Sequence, residues 1–174
     1  MYALIKPFIQ LTLMQKGPED LPASALLLWL CIIAYLVVGL IVALPFYPFQ
    51  LAILQTGMDL AMLAGYTALL LSWRGLPARF NQTLTALLGT GVILGLMMLP
   101  LVYSLRGAEV PAEIPLYITV GYLVLLGWLL TVYGNILRSA LGLQTVAGGV
   151  ALAVLYLMLA AIAGEMLYTA LMPS

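Results

Sequence analysis

The feature that most limits this chain is a succession of five apolar stretches, separated by short connectors rich in proline, glycine and arginine. A helix rises about 1.5 Å per residue and the hydrocarbon layer is about 30 Å thick, so one crossing takes about 20 apolar residues. Five crossings with their connectors occupy nearly all of the 174 residues and leave no length for a soluble catalytic domain. Charged side chains make up 7% of the sequence, against about 25% in water-soluble domains, and the mean hydropathy of +1.17 makes lipid the solvent. The expected fold is an all-α membrane protein, a bundle of five transmembrane helices with a short N-terminal interfacial helix.

The spans are expected at residues 23–44, 51–73, 82–103, 114–137 and 144–171, together forming one domain over residues 23–174. The first is closed by Pro45 and Pro48 with Phe46, Tyr47 and Phe49, an aromatic belt of the kind found at the headgroup level. Residues 1–22 are a segment of their own. Lys6, an apolar run and the small triplet Ala23, Ser24, Ala25 imitate a secretory signal. Pro7, Gln10 and Thr12 interrupt that run, however, and the polar stretch from Lys16 to Asp20 separates it from the triplet, so cleavage is not expected. Leu4, Ile5, Phe8, Ile9, Leu11 and Leu13, with Lys6, Gln10 and Lys16 between them, read as a helix lying in the headgroup layer, the alternative being a frayed terminus.

Basic residues alternate between the two ends of the spans. Lys6 and Lys16 precede the first span, Arg74 and Arg79 join the second to the third, and Arg138 joins the fourth to the fifth. At the other end only Arg106 occurs, with Glu109 and Glu113 beside it. Cytoplasmic loops carry the excess of Lys and Arg, which predicts a cytoplasmic amino terminus and a periplasmic carboxyl terminus in a bacterial inner membrane.

The residue inventory excludes several chemistries. There is no histidine, and Cys31 is the single cysteine, so the chain has no ligand set for zinc, haem, copper or an iron–sulfur cluster, and no cofactor is expected. A Ser-His or Cys-His nucleophile pair is equally impossible, and no other nucleophile–base pair stands out, so the expectation is a protein that is not an enzyme. A formal net charge of zero with scattered arginines offers no basic face to nucleic acid.

Polar groups inside the spans carry what functional signal there is. Asp59 lies about eight residues, or about 12 Å, into the second span, where an ionised Asp costs about 2.5–3.5 kcal/mol. Gln55 is one turn away, and Thr56 and Thr67 share the helix. The carboxyl is therefore expected to be protonated and hydrogen-bonded, or to face a wet cleft. Glu165 sits about six residues from the outer end of the fifth span and is expected in the same half of the membrane, where the two acids could form a proton or cation site. The plainer alternative puts Glu165 at the interface with Tyr168 and Asp59 in contacts between helices. At the inner side Arg79, Asn135 and Arg138, with Asn81, Gln82, Thr83 and Gln144, form a polar rim suited to a lipid phosphate or a partner's acid, or to simple anchoring by snorkelling. Gly91 and Gly95 make a small-xxx-small pair that permits close helix approach.

The segment from Tyr122 to Trp128, the run Tyr133, Gly134, Asn135, Ile136, Leu137, Arg138, Ser139, Ala140, Leu141, Gly142, Leu143, and the small-residue-rich last span resemble the closing part of bacterial proteins similar to the Yip1 family. The stretches Gly17 to Pro22 and Gly75 to Thr83 also resemble proteobacterial inner-membrane proteins of unassigned role. The resemblance covers about half of the chain, and the long polar amino-terminal domain of the eukaryotic relatives has no counterpart in it. It implies a non-enzymatic scaffold or adaptor whose partners are the bilayer and another membrane protein or a second copy of itself. The alternative from the residues themselves is a small proton- or ion-coupled carrier using Asp59, with Glu165 as its second acid.

Overall fold

The computed structural model describes residues 2–105 and 115–171, with side chains from residue 5 onward. The short helix α1 (Tyr2–Thr12) is followed by five long ones, α2 (Ala25–Ala43), α3 (Phe49–Trp73), α4 (Phe80–Ser104), α5 (Leu116–Leu141) and α6 (Val146–Leu171). All five are long and apolar enough to cross a membrane, which makes this a multi-pass membrane protein. Their ends fall within four residues of the expected spans. The largest difference is α5, which runs on to Leu141 because Arg138, Ser139 and Ala140 continue the helix until a glycine stops it. The acidic stretch expected around Arg106, Glu109 and Glu113 lies outside the described residues.

Three helices end in the same way. Gly75 (φ 68°) and Gly142 (φ 63°) take the left-handed conformation that glycine adopts without steric cost, and each turns its chain back onto its own helix. After α5 the Leu143 N–H donates to the Arg138 carbonyl and the Gly142 N–H to the Ser139 carbonyl, the paired bonds of a Schellman cap. Met14 does the same work after α1 at φ 56°, with Gln15 donating to Gln10 and Met14 to Leu11. At the start of α2 the Ser24 hydroxyl accepts from the Leu27 N–H.

The spans close into a ring in the order α2, α4, α5, α6, α3, with α3 returning to α2. Within it α4 is the most enclosed helix, touching α1, α2, α3 and α5. Glycines set the closest approaches. A methyl on Gly149 would lie 2.0 Å from the Gly134 carbonyl oxygen, so α5 and α6 touch backbone to backbone. A methyl on Gly95 would meet Val38 at 2.9 Å, and one on Gly91 would meet the Tyr35 ring at 2.9 Å. The small-xxx-small pair of α4 is thus used inside the chain, against α2. Threonines enter the interior by bonding their own helix: Thr56 donates to Ala52 and Thr67 to Leu63, each four residues back. The outer surface is apolar, with Trp29, Ile33, Leu69 and Leu123 all exposed, as lipid-facing positions should be.

The first 22 residues join this bundle rather than standing apart from it. Phe8, Leu11 and Leu21 belong to the same buried core as α4 and α5. The Phe8 ring sits over Gly89, the Trp128 indole N–H donates to the Thr12 carbonyl at 2.9 Å, and the Gln82 amide donates to the Leu21 carbonyl at 2.9 Å. Of the apolar residues in the amphipathic pattern, Phe8 and Leu11 pack on protein while Ile5, Ile9 and Leu13 are exposed.

Candidate functional site

Asp59 stands ten residues beyond Phe49 in a 25-residue helix, within two residues of its midpoint. It is deeper than the sequence suggests, because α3 begins at Phe49, and the distance from that end is about 15 Å. An acid at that depth must have its oxygens satisfied, and tyrosines from other helices do so. Tyr35 of α2 donates to Oδ2 at 2.5 Å, and Tyr156 of α6 donates to Oδ1 at 2.7 Å. Tyr133 of α5 stands beside them, since a methyl on Gly91 would meet both its hydroxyl and the Tyr35 ring. The helix that supplies no polar side chain, α4, supplies room: a methyl on Gly91 would come within 2.7 Å of the Tyr133 hydroxyl. All five spans therefore meet around one carboxyl.

The rings of this cluster also pack on one another. Tyr156 lies 5.6 Å from Tyr66 and 6.5 Å from Tyr133, centre to centre and tilted, within the range in which aromatic pairs attract. Tyr66 donates its own hydroxyl to the Leu152 carbonyl at 2.8 Å, tying α3 to α6. Among the described residues no buried side-chain nitrogen or oxygen lacks a hydrogen-bond partner.

On one side Asp59 borders a cleft of about 320 Å³ between α2, α3 and α4. The cleft reaches Phe46 and Tyr47, at the end of the bundle opposite Arg74, Arg79 and Arg138. Its walls are largely apolar, with Gln55, Thr56 and Asp59 as the polar exceptions besides the tyrosines. Toward the basic end, Leu63, Leu70, Leu71, Leu87 and Leu137 belong to the buried core between Asp59 and the arginines.

Of the residues singled out from sequence, Asp59 and Gln55 share this cleft, while Glu165 does not. Glu165 is exposed on α6, nine residues and about 13 Å along the axis from Tyr156. Of the two alternatives for the acids, the arrangement has Asp59 held between tyrosines with Glu165 apart from it. Gln55 approaches Gly164 rather than Asp59, and the hydroxyls of Thr56 and Thr67 bond their own backbone. Sequence reasoning missed Tyr35, Tyr133 and Tyr156. A tyrosine far from either aromatic belt was the available signal, since a phenol in hydrocarbon needs a partner.

The inner rim separates into two parts. Arg79 donates to the Ala140 carbonyl at 3.0 Å, and Arg74 donates twice to the Leu141 carbonyl, at 3.3 and 3.1 Å. Both guanidinium groups thereby cap the last turn of α5, where free carbonyls and the negative end of the helix dipole favour cations. Ser139 donates to the Glu19 carboxylate at 2.8 and 3.0 Å, across a cavity of about 380 Å³ that Arg79 and Gln82 also line. Asn135 and Arg138, half-buried beside α6, make no side-chain hydrogen bond among the described residues. Compared with protein-family models, with curated proteins and with solved structures, the chain matches none.

Proposed function

We propose that this chain is a carrier of protons or small cations, not an enzyme, working through Asp59 in a bacterial cytoplasmic membrane with its amino terminus inside and its carboxyl terminus in the periplasm. The orientation rests on Lys6, Lys16, Arg74, Arg79 and Arg138 all belonging to one end of the bundle. The observation that carries the function is a mid-span carboxyl that meets hydroxyls from two other helices and borders a cleft at the same time. A carboxyl neutralised by a proton or a bound cation has lost the charge that makes its burial costly, so loading and unloading it changes which packing of the helices is favoured. The cleft reaches Asp59 from the periplasmic end in this orientation, and the packed leucines close the other, as an outward-facing state requires.

The test is dissipation of an imposed pH gradient in liposomes containing the purified chain. Asp59→Asn is expected to abolish it, while Asp59→Glu retains part of it. An inserted, folded Asp59→Asn protein that moves protons as the parent does would overturn the proposal.

A second proposal, the Yip1-like scaffold or adaptor, is favoured by Arg138 and Asn135, whose side chains lack hydrogen-bond partners within the described chain and lie at the cytoplasmic end in this orientation. Mild-detergent purification distinguishes the two. A membrane protein that co-purifies with the parent and is lost on Arg138→Ala, with the pH response intact, supports the adaptor.

A further inference from the structure

We infer that the cleft beside Asp59 binds an organic monocation with an apolar body, a quaternary ammonium or protonated amine, in exchange for a proton. This rests on the carrier proposal and names its cargo. The volume of about 320 Å³ is at the small end of ligand pockets and far larger than one inorganic ion needs. Hard divalent cations such as calcium want about six to eight oxygen ligands, and the cleft offers only the Asp59 carboxyl, the Gln55 amide and the Thr56 hydroxyl besides its phenols. Val38, Val42 and Val92 suit an alkyl or aryl body. Tyr35, Phe46 and Tyr47 bring aromatic rings to its wall, a composition that attracts a weakly hydrated cation.

The charge balance selects a single positive charge. Among the described residues Asp59 is the only acid on the cleft wall; Tyr35 from α2 and Tyr156 from α6 donate to it, Tyr66 of its own helix and Tyr133 from α5 pack against the Tyr156 ring, and Gly91 faces the cluster from α4. None of these is a cation, so among the described residues no group competes with a proton for the carboxylate. The step is an exchange in which the Asp59 carboxylic acid and the cation give a carboxylate–cation pair and a released proton, so the site is neutral in both states and the positive charge brought by the ligand leaves with the proton. The carboxylate has about four acceptor positions, so two remain for the cation and its environment while Tyr35 and Tyr156 keep theirs. Those two hydroxyls hold the oxygens in place as the proton leaves.

The experiment uses the full chain in mild detergent, with benzyltrimethylammonium as the probe and neopentylbenzene as its uncharged counterpart of the same shape. Saturable binding of the ammonium, release of one proton per cation in weak buffer, and no competition from the hydrocarbon are expected. Because proton and cation compete for one carboxyl, apparent affinity is expected to weaken as the pH is lowered. Asp59→Asn weakens binding by about a hundredfold or more, since one partner of a buried charge pair is gone. Val42→Trp, which narrows the cleft and leaves Asp59 unchanged, blocks binding as well, and thermal unfolding of both variants like that of the parent excludes loss of fold as the explanation. Equal binding by parent and Asp59→Asn, or equal competition by neopentylbenzene, overturns the inference. Absence of ammonium binding alongside Asp59-dependent proton movement in liposomes overturns the inference alone and leaves the carrier standing. Absence of both removes the carrier with it.

Discussion

Tyr156 of α6 donates its hydroxyl to Oδ1 of Asp59 at 2.7 Å, joining positions 97 residues apart in the chain. Tyr35 holds the other oxygen from α2, so either hydroxyl leaves the carboxyl one donor if the other is removed. Tyr156→Phe and Tyr35→Phe are each expected to lower unfolding free energy by about 0.6–1.7 kcal/mol, the range of hydrogen bonds between helices in lipid. The double variant costs more than the sum, because it strips a mid-span acid of both donors. Reversible unfolding in mixed detergent micelles measures all three. Strictly additive losses would show that the two phenols do not share one network.

Much of the architecture was legible because each span is a continuous apolar run with its own punctuation. Pro45 and Pro48, the Gly75 turn and the Gly142 turn all mark true ends. What connects the spans was not legible. Periodicity within α3 places Asp59 on a helix, yet nothing in the spacing says that α2 and α6 are the helices beside it. That Asp59 and Glu165 could meet was read from their sharing the outer half of the membrane, whereas Glu165 lies about 13 Å along α6 from the tyrosine that holds Asp59. The same limit applies to α1, whose apolar face was visible while the protein surface beneath it was not. Arg79 illustrates a further ambiguity, since a basic residue at a helix end serves equally well as anchor, ligand or cap until the neighbouring carbonyls are located.

The backbone contact of α5 with α6 predicts a sharp difference between glycines. Gly149→Ala puts a methyl against the Gly134 carbonyl, an atom that cannot rotate away, so the helices must separate. The expected loss is about 1–3 kcal/mol, as for overpacking elsewhere. Gly127→Ala, which meets nothing within 4 Å, should be neutral or stabilising by up to about 1 kcal/mol. Thermal unfolding of the two proteins side by side checks this, and a Gly149→Ala protein as stable as the parent would refute the contact.

The capping role of Arg74 and Arg79 predicts a local effect. Alanine at either position frees carbonyls at the end of α5 and is expected to cost about 0.3–1 kcal/mol, with the double variant near the sum since the two cap different carbonyls. Hydrogen exchange should quicken over the last turn of α5 and the α5–α6 connection, with little change at the Asp59 cluster. Lysine at position 79 keeps the charge and restores most of the protection. An exchange pattern unchanged at α5 and altered elsewhere would count against the cap.

Docking of α1 can be tested through the pair Phe8 and Gly89. A methyl on Gly89 would lie 2.3 Å from the Phe8 ring, so Gly89→Ala forces α1 off α4 or the ring out of its place. Phe8→Ala removes the ring and is expected to cost about 1–3 kcal/mol, less than in a water-soluble core because lipid chains refill the space. In that background Gly89→Ala has nothing to strike, so its penalty should largely vanish, a coupling of about 0.5–3 kcal/mol between the two sites. Trp128 gives an independent readout, since its indole N–H holds the Thr12 carbonyl. With Trp29 and Trp73, both exposed, changed to Phe, the remaining Trp128 emission should shift in Gly89→Ala and stay near the Phe8→Ala value in the double variant. Equal penalties for Gly89→Ala with and without Phe8 would mean that the helix does not rest on this glycine.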